Sequence, residues 1–324
     1  MRKLFLGPLL SLLTGVMAAF SGGGALAQSD AGFAEEIPPG SPGSPEQPLR
    51  VMLVPTDGGT EAGTLADFSP IFNAMSVSTG VEFDLRVGQS YASVVEGLSN
   101  ELVDIAFVGP TLYLQAAERD AAEPLAVAVL DGESVYYAAF FAQAGFEFEG
   151  IQDLRGKSIA FGDVNSSSSF TLQVAMLIDA GIDPARDLSG IFLTGGHTNS
   201  LNALVQGHVD VSAASLNSYQ GAVNRGAIDP DQIVPIAVSI PVPYPPFIMH
   251  PSLPDDVKAR LRHGFDTVHE DPSIEPDMIR GFGGIRVDRY TSDITHETFA
   301  AVQEQLDLLT GEVRGEMLER AAER

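Results

Sequence analysis

The sequence predicts an α/β protein of two lobes, each a mainly parallel sheet flanked by helices, with a hinge of two crossover segments. Three observations predict it. Short β-rich apolar runs alternate with segments of helical spacing, the pattern of a parallel sheet with helices packed on its faces. The alternation runs once over residues 49–130 and again over 157–239. Between and after these series lie two extended segments, "SVYYAAFFAQ" (134–143) and "IPVPYPPFIMHP" (240–251), placed to cross between lobes. The second series is therefore an insertion into the first. The expected division is 49–141 plus 243–324 for lobe 1 and 142–242 for lobe 2.

The first series opens with "LRVMLVP" (49–55), a strand, and "LADFSPIFNAMSVSTG" (65–80), a helix with Gly80 as its stop. "VEFDLRVG" (81–88) alternates apolar and polar residues as a strand does, and "YASVVEGLSNEL" (91–102) sets Val94, Val95, Leu98 and Leu102 at helical spacing. "VDIAFVG" (103–109) is a buried-strand run, "TLYLQAAER" (111–119) a short helix and "PLAVAVL" (124–130) a strand. In the second series "KSIAFG", "GIFLTG", "VDVSAAS" and "IVPIAVS" are strands, with helices at 169–181, 199–208 and 218–226 between them. Two α/β lobes joined by two crossings leave a cleft, where small ligands bind and around which hinge closure is expected.

The ends and the charge narrow the function. Arg2, Lys3, an apolar run broken by Pro8 and Gly15, and Ala25-Leu26-Ala27 make residues 1–27 a cleavable signal peptide rather than a span. Residues 28–48, rich in Pro, Gly, Ser and Glu, read as a disordered leader. No later stretch is apolar enough to span a membrane, and with no cysteine there is no lipid attachment, disulfide or thiolate metal site. The expectation is a soluble periplasmic protein, monomeric, without direct membrane insertion. With 18 basic and 43 acidic residues the net charge is −25, which should repel nucleic acid and anionic membranes. An anionic ligand must then be held by local donors. No G-x-S-x-G elbow, P-loop or H-E-x-x-H motif is present, and the acids of 271–277 read as a solvated turn rather than a calcium site. No cofactor, metal or catalysis is expected.

Several ordered motifs resemble the periplasmic solute-binding proteins of phosphate/phosphite/phosphonate ABC transporters. They are "RVGQSYASVVEGLSNELVDIAFVGP", "GKSIAFGDVNSSSSF", "TGGHTNSLNALVQGHVDVSAA" and "PFIMHPSLPDDVKARL", and the resemblance covers roughly 50–312. It implies a type II periplasmic-binding-protein fold that captures a phosphorus oxyanion (phosphite, phosphate or a small phosphonate) and delivers it to a membrane permease. It also implies ligand-contact roles for Tyr91, Tyr136, Ser166, Ser167, Ser168 and His197. Two positions depart from the family pattern. Ser169 stands where the family has glycine, which would narrow the approach. Thr198 stands where aminophosphonate receptors tend to carry an acid, which disfavours a ligand with a cationic amine.

The residues support a similar site without the resemblance. "NSSSSF" lies between a strand and a helix, where unpaired N–H groups and the positive end of the helix dipole favour an anion, although serine there also serves as an ordinary cap. His197, in a loop after two glycines, can reach a ligand oxygen, and its titration near neutrality would make anion affinity vary with pH. Tyr91 begins a helix after a strand. Tyr136 and Tyr137 point to opposite faces of a strand, and Tyr136 is assigned to the cleft. Thr56 and Asp57 follow the first strand at its carboxyl end, a usual ligand-facing place, and Asn217 and Tyr219 open the last helix of the inserted lobe and are expected to line the cleft, with Thr56 and Asn217 taken among the ligand-binding residues. Two other readings remain at this stage. One is a receptor of the same fold for another small oxyanion or organic anion. The other is a secreted serine hydrolase pairing one of Ser166–Ser168 with His197.

Overall fold

A computed structural model describes residues 33, 36–55 and 60–323. The signal-peptide segment lies outside the described residues. The first series forms β1 (Leu49–Leu53), α1 (Glu61–Thr79), β2 (Phe83–Val87), α2 (Tyr91–Ser99), β3 (Ile105–Phe107), α3 (Pro110–Ala117) and β4 (Glu123–Val129). A short strand β5 (Val135–Tyr136) leads into β6 (Ala138–Gln143), β7 (Ser158–Phe161), α4 (Leu172–Asp179), β8 (Gly190–Leu193), α5 (His197–Val205), β9 (Val211–Ser215), α6 (Leu216–Asn224) and β10 (Ile233–Val238). The chain returns through β11 (Val242–Pro243) and β12 (Phe247–Met249) to α7 (Asp255–Thr267), β13 (Arg289–Thr291), α8 (Ala300–Leu308) and α9 (Gly311–Ala322).

Among the described residues the strands form two main sheets, ordered β13-β4-β12-β3-β1-β2 and β10-β6-β9-β7-β8. In the first, β1 pairs in parallel with β2 and β3, and β12 is wedged antiparallel between β3 and β4. In the second, β7 pairs in parallel with β8 and β9, and β6 runs antiparallel between β9 and β10. The reversed strand of each lobe follows directly from a crossing. The crossings pair with each other, Val242 opposite Tyr136 and Pro243 opposite Val135, so the hinge is a two-stranded ribbon. The fold is the two-lobe type II periplasmic-binding arrangement.

Local chemistry explains the boundaries. Thr60 caps α1 by accepting from the Gly63 N–H, and Gly80 ends it in the left-handed region (φ 73°), where its N–H reaches the Ser76 carbonyl. Ser90 and Ser93 close a reciprocal capping box on α2. Phe72, Phe107, Phe247, Phe265 and Tyr290 form an aromatic chain through the first core. The second lobe has separate cores on the two faces of its sheet, one around Phe140, Phe161 and Phe170 and one around Phe141, Leu201 and Leu204.

Two expectations about the ends are corrected. Within the leader, residues 36–48 form a turn-rich segment laid on lobe 1. Ile37 enters the first core, the Glu82 N–H donates to the Gly43 carbonyl, and the buried Ser44 hydroxyl accepts from Gly40 and Gln47. The Pro and Gly content encodes tight turns, with Gly40 and Gly43 at φ 76° and 90°, rather than disorder. At the other end, α9 does not return to lobe 1. Met317 and Leu309 lie in a core of lobe 2, Arg320 donates to the Ala185 and Leu188 carbonyls, and Arg186 pairs with Glu316 at 2.6 Å. The boundaries of the two lobes over 49–242 remain a proposal of sequence pattern. No helix among the described residues is long and apolar enough to cross a membrane.

Candidate binding site

The serine run forms a widened first turn on α4. The Thr171 N–H reaches the Ser166 carbonyl and the Leu172 N–H reaches that of Ser167, a spacing of five residues rather than four. A wider turn leaves more leading N–H groups without an intrahelical acceptor, all at the positive end of the helix. Ser166 to Ser169 are each at most 2 % exposed. The Ser166 hydroxyl accepts from the Ser169 N–H at 3.2 Å and lies 3.4 Å from His197 Nε2. The Ser167 hydroxyl accepts from the Thr111 N–H at 2.8 Å, a bond from lobe 2 to the start of α3 in lobe 1. With its oxygen already receiving the Ser169 N–H, the Ser166 hydroxyl has its proton left to give, while the Ser167 hydroxyl is shared between the Thr111 N–H and Tyr136. The Ser168 carbonyl is held by Gln173 Nε2 at 2.7 Å, and the same amide reaches the carbonyls of Ala139 on β6 and Ala214 on β9. Gln173 thereby ties the turn to the sheet behind it.

His197 is the first residue of α5 rather than a loop residue, and it is 1 % exposed. Its Nδ1 accepts from the Ser215 N–H at 3.0 Å, which leaves Nε2 as the protonated nitrogen of the neutral ring, directed toward Ser166. Phe282 from lobe 1 packs edge-on against the imidazole with ring centroids 5.2 Å apart. Tyr136, on the hinge ribbon, is fully buried beside Phe282 and Tyr244. Burial pushes its hydroxyl up to about 12, partly offset by hydrogen bonding with Ser168 and Ser167, so it stays a proton donor throughout the physiological range.

The other expected residues divide. Tyr91 is buried at the start of α2, just after the Gly88–Gln89 turn. Thr56 and Asp57 lie outside the described residues. Their neighbours Pro55 and Thr60 line a cleft of about 330 Å³, together with Gln89, Gly195, Gly196 and the first residues of α5, His197 to Asn199. Asn217 does not stand alone in the cleft, since its Nδ2 donates to the Tyr244 hydroxyl at 3.2 Å across the lobe boundary. Tyr219 turns away from the cleft, stacking on Phe141 and donating to the Ile233 carbonyl at 2.7 Å. Ser169 faces inward over Gly162, where an added Cβ would fall 2.1 Å from its hydroxyl oxygen.

Sequence reasoning missed Thr111, Gln173, Phe282 and the glycine contacts. Gln173 had a signal, a lone amide within an otherwise apolar helix; Phe282 had none, because its contact depends on how the return segment packs. Among the described residues no group of three or more histidine or acidic side chains is placed to hold a metal ion. Asp271 in the 271–277 turn instead accepts from Ser273. Chemically the arrangement is a neutral cradle of hydroxyl, amide and imidazole N–H donors at a helix start. It is unsuited to nucleophilic chemistry at Ser166, because a His197 ring protonated at Nε2 has no lone pair there to accept the serine proton.

One family profile, described as "ABC transporter, phosphonate, periplasmic substrate-binding protein", matches residues 59–292. The chain belongs to this family. Its members are substrate-binding components of transport systems rather than enzymes. The chain is 29% identical over 204 residues to the phosphate-import protein PhnD of Mycolicibacterium smegmatis, covering 60% of this chain and 61% of that protein. It is 22% identical over 221 residues to the phosphonates-binding periplasmic protein of Escherichia coli K12, covering 67% and 64%. In each case the chain thus spans less than two thirds of the relative's length. Two solved structures share the fold. One is a binding protein component of an ABC phosphonate transporter from Pseudomonas aeruginosa (TM-score 0.69, 18% identity, covering 86% of this chain and 96% of that one). The other is PhnD1 from Prochlorococcus marinus in complex with methylphosphonate (TM-score 0.70, 14% identity, covering 81% and 97%).

Proposed function

We propose that this chain is the exported, monomeric substrate-binding component of an ABC importer. It captures a phosphorus oxyanion (phosphite, phosphate or a small phosphonate) between its lobes and hands it to a membrane permease. Residues 1–27 serve as the cleaved export signal. Ser166, Ser167, Ser168, His197, Tyr136 and Tyr91 contact the ligand, and Thr56 and Asn217 border it. The observation that carries the reading is the serine turn. It buries three consecutive hydroxyls, two of them aligned by N–H donors, at the positive end of a helix and against the neighbouring lobe. The relatives named for phosphate import and for phosphonate binding support the choice of anion. Capture requires no cation in the site: hydroxyl and amide donors supply directional hydrogen bonds to an anion that the net charge of the chain otherwise repels.

The test is a thermal-shift and calorimetric panel of phosphite, phosphate, methylphosphonate, 2-aminoethylphosphonate and sulfate. A ligand that binds the folded state raises the melting temperature by mass action. The expected result is binding of at least one phosphorus anion, abolished in the Ser166→Ala/Ser167→Ala/Ser168→Ala variant with the fold retained. A response to sulfate alone, or to none of the five, overturns the reading.

A further inference from the structure

The lobe-1 side of the cradle holds a residue that no sequence motif marked. Thr111 is the second residue of α3, after Pro110, and its backbone N–H is the donor that meets the Ser167 hydroxyl at 2.8 Å. Its own hydroxyl is completely buried and has no hydrogen-bond partner. In a helix the Cα–Cβ bond leans toward the N-terminus, so the Thr111 side chain leans toward the end of α3 that faces the serine turn. Gly109, the residue capping α3, keeps this approach open, since a Cβ there would come 3.0 Å from the Ser167 hydroxyl oxygen. A buried hydroxyl left unpaired is costly, whereas valine would fill the same volume without that cost.

We infer that Thr111 is a further ligand-binding residue, giving its side-chain hydroxyl to the oxyanion from lobe 1 while its backbone N–H fastens Ser167 from lobe 2. The inference rests on the proposed capture of a phosphorus oxyanion. Thr111 then links binding to closure. In the open state its hydroxyl and its N–H are both away from the serine turn. Closure brings the N–H onto Ser167, and the ligand supplies the partner that the hydroxyl lacks. Two helix starts, those of α3 and α4, converge on one anion, so neither lobe alone completes the site.

Calorimetric titration of wild type, Thr111→Val, Thr111→Ser and Thr111→Ala with the best phosphorus anion of the panel tests this, alongside the melting temperature of each protein without ligand. Thr111→Val is expected to melt no lower than wild type without ligand, yet bind about ten- to a hundredfold more weakly, the worth of a hydrogen bond to a charged group. Thr111→Ser, which keeps the hydroxyl, is expected to bind within a few-fold of wild type. Thr111→Ala repeats the affinity test with no added methyl to misfit. Wild-type affinity in Thr111→Val and Thr111→Ala, or an equal loss in Thr111→Ser, overturns the inference while leaving the proposed function standing. A wild type silent toward every phosphorus anion overturns both.

Discussion

The backbone N–H of Ser215 donates to His197 Nδ1 at 3.0 Å, and this one bond decides what the imidazole can do. It fixes the proton of the neutral ring on Nε2, facing Ser166 and the cleft, so that His197 can donate from Nε2 but cannot act there as a base toward a serine. Protonating Nδ1 would set two N–H groups against each other. Imidazole ¹⁵N spectra at pH 8 should therefore show Nε2 carrying the proton and Nδ1 bare. A ring protonated at Nδ1 instead would remove the argument against base chemistry. His197→Ala should weaken phosphorus-anion binding about tenfold or more, as expected for loss of a charge-assisted hydrogen bond.

Tyr136 gives a pH signature. Its hydroxyl titrates near 10.0 in an unfolded chain and is pushed up to about 12 here by burial. A group whose folded value is raised contributes its stabilisation fully below the unfolded value and loses it as pH climbs through the folded one. The window is therefore pH 10 to 12. Between pH 9 and pH 11 the stability of wild type relative to Tyr136→Phe should fall by about 1 kcal/mol. Other buried tyrosines such as Tyr290 stay in both proteins and cancel. Urea denaturation at the two pH values measures the difference. A constant difference would mean that the Tyr136 hydroxyl ionises as if exposed. At pH 7 the same variant should bind the anion more weakly, through loss of one donor.

Most of the fold was legible because its elements are long and periodic. The strand and helix order of both lobes follows from the alternation of apolar runs, and the hinge from two extended segments that prove to pair with each other. What was not legible depends on geometry that residue types leave open. "SSSSF" announces a helix start but not that its first turn widens to five-residue spacing. "GGHTNS" announces a turn but not that His197 already belongs to the helix. The Pro and Gly of 36–48 suit disorder and tight turns alike, because turn formers and linkers share a composition; burial of Ile37 and Ser44 separates the two only in three dimensions. The placement of the serine run at a helix start was legible from its position between strand and helix. Thr111 and Phe282 were not, since each comes from the opposite lobe.

Ser169 and Gly162 should behave as a coupled pair. A Cβ at Gly162 would lie 2.1 Å from the Ser169 hydroxyl oxygen, 2.7 Å from its Cβ and 3.3 Å from the Gly196 carbonyl carbon. Ser169 thus occupies room that Gly162 concedes, on the inner side of the turn rather than across the ligand's path. Gly162→Ala should destabilise the protein by about 1–3 kcal/mol through overpacking. Adding Ser169→Gly should recover much of that loss, a coupling readable from a double-mutant cycle of urea denaturation midpoints. Strict additivity of the two changes would show that they do not share the space.

Gly221 tests the opposite edge of the lobe boundary. It lies on α6 of lobe 2, and a Cβ there would fall 2.1 Å from the Gly283 carbonyl oxygen in the 282–284 turn of lobe 1. That turn presses on the start of α6 as well: Gly283, at φ 80°, sits where a Cβ would come 2.8 Å from the Asn217 carbonyl. Backbone meets backbone, so a flexible side chain cannot move aside to make room. Gly221→Ala should leave each lobe intact but prop the boundary apart, lowering the fraction of molecules able to close. Apparent affinity falls in proportion to that fraction, so the variant should bind the phosphorus anion about tenfold more weakly with an unchanged far-ultraviolet spectrum. Small-angle scattering should show wild type contracting on ligand addition and Gly221→Ala contracting less. Equal contraction with equal affinity would mean that the lobes close without this contact, and that the Thr111–Ser167 edge alone sets the closed state.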